Sequence, residues 1–302
     1  ANSIRTSRDG IKVGGHQASS ASLVTLMTAL YFNELNSEDR VAVKPHASPV
    51  YHSIQYLMNL QSLDQLKRFR SFGGAQSYPS RTKDADYVDF STGSVGLGVA
   101  ITLFASLVQD YLDAKAMLPQ DQKIGRMVAL MGDAELDEGN VWEAMLEGWK
   151  HDVRNLWWII DYNRQSLDST VSDKLFGRFD DIFKTTGWNV ITLKYGKKLN
   201  SIVGMDGGDC LIKWIDDCPN SLYSALTYKG GEGFRQRIEK DIGKNSGVKS
   251  LLQNYDDEEL FDLVTDLAGH DMESVLEAFA SAELDRPNVF IAYTVKGRGM
   301  PF

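Results

Sequence analysis

Apolar positions along this chain alternate between two spacings. Leu23, Leu26, Met27, Leu30 and Tyr31 recur every three or four residues behind Ser19-Ser20, which predicts a helix with its N-cap region there. Val41-Ala42-Val43 is short and continuous, as a buried strand would be, and a second helix is expected to begin near Ser48-Pro49. Residues 73–86 are polar and rich in breakers, so a loop is expected. Residues 93–98 open an apolar helical run through Leu107 and Leu112. The run 127–131 is unbroken and stops at Gly132-Asp133, the pattern of a strand covered on both faces.

The alternation continues with a helix around 142–149, a strand over 156–161, a helix near Ile182-Phe183 and a strand over 189–193. From Asn200 to about Leu267 the pattern is mostly helical, with breaks at Gly207-Gly208 and Gly230-Gly231. A last helix over 272–284 leads through Pro287 into a strand over 289–295. Strand and helix in turn predict an α/β fold, a mostly parallel sheet with helices on both faces. The expected organisation is one domain over 1–302 with a helical insertion at about 200–267.

Composition narrows the function classes. A length of 302 residues, 43% of them hydrophobic and 24% charged, suits a globular protein with a large core. A net charge of −9 repels a long phosphate backbone and argues against nucleic acid, while leaving room for a local pocket for one small anion. The two cysteines, Cys210 and Cys218, have neither metal-ligand spacing nor a histidine beside them, so two reduced thiols are expected. The longest apolar run, 156–160, is strand-sized, which predicts no membrane span. The first residues lack the apolar stretch of a signal peptide, and a cytoplasmic protein is expected.

Two strand ends carry polar clusters: Gly132-Asp133-Ala134-Glu135, and Asp161-Tyr162-Asn163-Arg164-Gln165. Asp133 and Asn163 are 30 residues apart (163 − 133), one strand–helix–strand unit, which predicts neighbouring positions at the carboxyl ends of adjacent strands. A carboxylate and an amide oxygen are hard ligands for magnesium, which would complete its octahedron with a main-chain carbonyl and phosphate oxygens. The helices opened by Gly93-Ser94 and after Gly139 would direct N–H groups at that phosphate. Taken alone, the two side chains serve equally well as helix caps.

The wider residue pattern separates these readings. Gly132-Asp133-x-Glu135 followed by Asn163 resembles the thiamine diphosphate fingerprint, Gly-Asp-Gly with an asparagine roughly thirty residues on. The stretches 132–138 and 163–168 are similar to the homodimeric E1 component of pyruvate dehydrogenase, a transketolase-like family. Gly14-Gly15-His16-Gln17-Ala18-Ser19, His46-Ala47-Ser48-Pro49, Ser77-Tyr78-Pro79, Ser94-Val95-Gly96-Leu97-Gly98, Gly187-Trp188-Asn189, Gly269-His270-Asp271 and Thr294-Val295-Lys296-Gly297 fall in the family's order.

The resemblance implies thiamine diphosphate and Mg2+ as cofactors. Asp133 and Asn163 would hold the metal through their side chains, and Gln165 through its main-chain oxygen. Ser19, His46, Ala134 and Glu135 would hold the diphosphate, with Val95, Gly96 and Leu167 bordering the cofactor and Glu138 orienting the metal ligands. His16, His46 and Tyr78 would line the catalytic channel, and His270 would ride on a mobile segment that folds over the intermediate. Ala134 departs from the family's glycine; a positive φ there would cost on the order of 1 kcal/mol.

By the same resemblance, the activating glutamate belongs to a pyrimidine-binding domain, which together with the C-terminal domain is absent from this chain. The expected assembly is a homodimer or heterotetramer that feeds an acyltransferase (E2) core. The expected reaction is decarboxylation of a small 2-oxo acid, pyruvate in the first instance. Two-carbon transfer between sugar phosphates and a non-catalytic cofactor-binding homologue are the alternatives. Outside these motifs, His52, His151 and Trp157-Trp158 are expected to be structural, 256–259 a helix cap, and Arg5 and Arg8 part of an N-terminal arm.

Overall fold

Five parallel strands organise the molecule: β1 (Arg40–Ala42), β2 (Met127–Gly132), β3 (Leu156–Tyr162), β4 (Asn189–Leu193) and β5 (Asn288–Tyr293), in the spatial order β1-β2-β3-β5-β4. They are seen in a computed structural model that describes residues 17–85, 87–119, 121–163 and 174–300. β2 and β3 are buried at every position, which is why their sequences run apolar without alternation.

The sheet's two faces are covered by different helices. One buries Val128, Leu130, Trp157, Ile159 and Phe290. It packs under α2 (Val24–Ala29), α3 (Ser48–Leu57) and α13 (Met272–Ala280), while α1 (Gln17–Ala21) and the short α4 (Leu63–Lys67) lie against α3. The other buries Ala129, Met131, Trp158, Ile160 and Ile291 under α5 (Leu97–Ala114), α6 (Gly139–Lys150) and α7 (Lys174–Thr185). Trp157 and Trp158 thus point to opposite faces, as the period of a strand requires.

The step from β3 to β4 skips one place, and β5 returns to fill it. Right-handed crossovers put the helix of a reversed step on the opposite face. Accordingly α13 (Met272–Ala280), which precedes β5, lies with α2 and not with α5.

Between β4 and β5 the chain forms α8 (Lys197–Asn200), α9 (Gly208–Asp217), α10 (Asn220–Ile242), α11 (Ser246–Leu252) and α12 (Asp257–Val264) around a separate core that includes Trp214, Phe234 and Val248. α10 bends at Gly230, whose φ of 73° and ψ of −167° lie outside the helical region. Asp256 caps α12 reciprocally with Glu259, the role the acidic run suggests. An antiparallel bridge from Tyr195 to Leu267 closes the excursion.

Three sequence expectations differ from the structure. Ser19-Ser20 lies inside α1, and the helical run behind it ends in a π-turn over Leu30–Glu34. The final helix stops at Ala280. Among the described residues, α5 is long and apolar enough to cross a membrane by length and composition, which the search for unbroken runs missed. Thr102 and Ser106 interrupt its apolar residues, and Val99, Ala100 and Leu103 pack it onto the sheet.

Candidate functional site

The carboxyl ends of β2 and β3 stand side by side, with Gly132 opposite Asp161 in the parallel register. Beyond Gly132 the chain turns into a 3-10 helix, Asp133–Asp137, before α6. Asp133 and Asn163 are both buried, one residue past the end of its strand in each case. The Trp142 indole donates to the Leu136 carbonyl at 2.8 Å and locks the 3-10 turn onto α6.

Glu135 brackets two backbone segments. Its Oε1 accepts the Gly132 N–H at 3.0 Å and its Oε2 the Gly96 N–H at 2.9 Å. Burial pushes this carboxyl above its ordinary pKa, although both backbone bonds pull it down. Gly96, at φ 76°, ends the loop that starts α5 and faces Asn140 and Glu138 closely. Val95 beside it is half-buried, and Glu138 is exposed at the cap of α6.

Ala134 sits in the 3-10 turn and is not one of the residues with positive φ. The replacement of glycine therefore carries no backbone strain here. Its N–H donates to Asp133 Oδ1 at 3.0 Å.

A second group approaches from α1 and the segment after β1. Ser19 is buried in α1, and the neighbouring Ser20 hydroxyl donates to the His46 carbonyl at 2.8 Å. His46 and Tyr78 face each other with ring centroids 6.3 Å apart, and Tyr78 lies against Gly93. Ser48 donates to the Ser77 carbonyl at 2.6 Å and holds the Tyr78 loop to the start of α3. The structure thus joins His46, Tyr78 and the loop before α5.

His270 lies in a turn next to the end of β5. It ends a 3-10 turn, Ala268–His270, and its Nε2 accepts the Val295 N–H at 2.7 Å. Burial, with the Arg298 guanidinium nearby, lowers its pKa to about 4. The turn is packed and bonded to the chain just after β5. His16, Gln165 and Leu167 lie outside the described residues. His52 is fully buried between the Gln76 carbonyl and Gln61, a structural place.

Sequence reading missed the centre of the site. Asp161, fully buried, accepts Lys44 Nζ at 2.9 Å, Ser22 Oγ at 2.7 Å, Thr294 Oγ1 at 2.5 Å and Asn163 Nδ2 at 3.3 Å. Burial opposes both charges of the pair. Lys44 nevertheless holds Asp161 below the usual carboxylate range, and Asp161, Glu135 and Asp133 hold Lys44 above its ordinary value. Gly132 makes room, because a Cβ there would come within 2.9 Å of Lys44 Nζ. The one available signal was an aspartate closing an apolar run, a charge that burial makes costly unless it is paired.

Among the described residues no group of three or more His, Cys, Asp or Glu side chains is placed to hold a metal. The pair Asp133 and Asn163 instead offers one carboxylate and one amide, hard oxygen donors that suit magnesium when a phosphate ligand supplies others. Three carboxylates, those of Asp161, Glu135 and Asp133, act on the single ammonium of Lys44. That excess of buried negative charge fits a divalent cation.

A parallel sheet with a carboxylate and an amide at adjacent carboxyl ends places polar groups where open α/β sheets gather their ligands. The chain matches the family "Transketolase, thiamine diphosphate binding domain" over residues 15–205, and it belongs to that family. It is 29% identical over 301 aligned residues to the pyruvate dehydrogenase E1 component of Cupriavidus necator, covering 95% of this chain and 33% of that protein. To the same component of Escherichia coli K12 it is 27% identical over 310, covering 98% and 34%. The chain therefore spans about a third of the length of these relatives.

Solved transketolases share the fold. That of Leishmania mexicana superposes with a TM-score of 0.58 at 16% identity, over 94% of this chain and 37% of that one. That of Campylobacter jejuni gives 0.57 at 18%, over 94% and 38%.

Proposed function

We propose that this chain binds thiamine diphosphate through Mg2+ and works in the decarboxylation of a 2-oxo acid, pyruvate, as part of an E1 component. The observation that carries the reading is the buried pair of hard oxygen donors, Asp133 and Asn163, at adjacent strand ends. The relatives named pyruvate dehydrogenase E1 component support the substrate class.

When bound, thiamine diphosphate supplies an electron sink for the carbanion chemistry. The chain's own residues divide the remaining work. Asp133 and Asn163 hold the cation, with Gln165 as a main-chain ligand. Glu135 fixes the two backbone segments at Gly96 and Gly132 that border the diphosphate. Ser19, Ala134, Val95, Gly96 and Leu167 border the cofactor, and Ala134 approaches without strain. His46 and Tyr78, with His16, line the channel, where an imidazole orients a small carboxylate and moves a proton. None of the three is a permanent cation, which favours a short 2-oxo acid over a sugar phosphate. The unit that completes the site is a pyrimidine-binding domain or subunit, in an assembly at least dimeric that delivers its acyl group to an E2 core.

The test uses the protein at its natural length, thiamine diphosphate, Mg2+, and pyruvate with an artificial electron acceptor. Pyruvate-dependent reduction is expected, and loss of at least ~10²-fold in Asp133→Asn and Asn163→Ala, which remove ligands of the cation. Transfer of two-carbon units from a ketose phosphate without pyruvate turnover would overturn the substrate assignment.

A further inference from the structure

The buried Lys44–Asp161 pair lies in the structure between β1, β3 and β5, and none of the roles above uses it. Asp161 is an unusual residue to find closing β3. It is completely buried, and its two oxygens accept four side-chain donors from four parts of the chain: Ser22 between α1 and α2, Lys44 after β1, Asn163 after β3, and Thr294 after β5. A buried ion pair is seldom worth its desolvation as a stabilising device alone. A carboxylate that accepts four donors, three on Oδ2 and one on Oδ1, does something more specific, which is to fix the direction of each donor it receives.

The donor that matters is Asn163. A carboxamide presents an oxygen on one side and an NH2 on the other, and rotation by half a turn exchanges them. Only the oxygen can ligate a cation. An ionised carboxylate accepts and never donates, so Asp161 Oδ2 at 3.3 Å admits Nδ2 and rejects Oδ1. The amide oxygen is thereby turned away from Asp161. Lys44 Nζ, bonded to the same Oδ2 at 2.9 Å, and Thr294, on Oδ1 at 2.5 Å, hold the carboxylate in that orientation.

The geometry points to Asp161, braced by Lys44, as a positioning residue that presets the Asn163 side-chain oxygen for the cation. This rests on the magnesium reading of Asp133 and Asn163. Asp161 does not touch the cation in this scheme, and it acts only through Asn163. Lys44 contributes by bracing and by occupying the space that Gly132, having no side chain, leaves open.

The experiment measures the Mg2+ concentration needed for half-maximal thiamine diphosphate binding in the natural-length protein, followed by intrinsic tryptophan fluorescence without substrate. Four proteins are compared: wild type, Asn163→Ala, Asp161→Asn and the double variant Lys44→Met with Asp161→Asn. The double variant removes both charges of the pair together, so neither Lys44 nor Asp161 is left without the other, and it serves where Asp161→Asn alone does not fold. Asp161→Asn can turn its NH2 toward Asn163 and so stabilises the wrong amide orientation.

Thermal unfolding without Mg2+ reports the purely structural share. The expected result is a rise of about 10-fold or more in the Mg2+ requirement for both Asp161 variants, the range typical of residues that orient metal ligands. The rise should persist where the melting temperature is unchanged. Wild-type Mg2+ dependence in a folded Asp161 variant, while Asn163→Ala loses binding, overturns the positioning role and leaves the site standing. Wild-type dependence in Asn163→Ala overturns the site itself.

Discussion

His270 accepts the Val295 N–H through Nε2, and burial together with Arg298 lowers its pKa from the ordinary 6.5 to about 4. The folded protein therefore keeps this imidazole neutral at pH values where the unfolded chain already binds a proton. Below pH 6.5 the unfolded state gains the proton first, so stability falls as the pH drops toward about 4 and is level again beneath that. The gap corresponds to roughly 3 kcal/mol at about 1.36 kcal/mol per pH unit. His270→Gln retains an acceptor for the Val295 amide and has nothing to titrate. Urea unfolding at a series of pH values between 4 and 7.5 should show a shallower loss of stability for the variant than for wild type. Equal slopes would rule the neutral buried imidazole out. Ala134 teaches a related lesson at the same scale: a departure from the family motif is free of strain because the 3-10 turn keeps its φ negative.

The loop and helix that begin at Gly96 show how an element's position is set by a single backbone atom. Gly96 has φ 76°, and a Cβ would lie 2.8 Å from Asn140 Oδ1 and 2.9 Å from Glu138 Cβ. Gly187 has a similar φ of 83° with nothing within 4 Å. Both alanine substitutions incur the left-handed penalty, about 1 kcal/mol, and only Gly96→Ala also pushes α5 from α6 and disturbs the Glu135 bracket. Chemical denaturation is expected to show a loss of about 1 kcal/mol for Gly187→Ala and at least ~2 kcal/mol for Gly96→Ala. Equal losses would mean that the close approach carries no energy.

The elements themselves were legible where burial is two-sided or caps are local. The runs behind β2 and β3, the strand Asn189–Leu193 and the Asp256–Glu259 cap all appear as the sequence pattern predicts. The π-turn at Leu30–Glu34 was not legible, because its apolar spacing imitates one more turn of α-helix. At the site, Asp133 and Asn163 could be placed together because one strand–helix–strand unit separates them. The Lys44–Asp161 contact spans 117 residues, and no local pattern marks a lysine in an apolar segment as an ion-pair partner. The surroundings of His270 were not legible for a similar reason: its motif names the residue, while its burial depends on Val295 and Arg298, which are brought there by β5.

At the scale of the whole molecule, α5 has two faces of similar polarity. Val99, Ala100 and Leu103 are buried against the sheet and α6, while Phe104, Val108 and Tyr111 are 50%, 57% and 58% exposed. Leu97 extends this outer stripe to the site loop, at the spacing of one helical face, and α6 adds exposed Leu146 and Trp149. An exposed apolar stripe along one helix face marks an interaction face. Both helices also begin at the candidate site, α5 after Gly96 and α6 after Glu138, so whatever covers them reaches the cofactor. We expect the pyrimidine-binding unit of the proposed assembly to bury this stripe. Phe104→Asp with Val108→Asp places two carboxylates there without touching Val99 or Leu103, and so should leave the melting of the isolated chain within about 1 kcal/mol of wild type. In the natural-length protein the same pair should weaken self-association at least ~10-fold in sedimentation equilibrium, since each buried aromatic or aliphatic side chain is worth roughly 1.5–3 kcal/mol. Activity should then rise with protein concentration as the assembly re-forms. Unchanged association in the double variant would assign the covering contact to another surface.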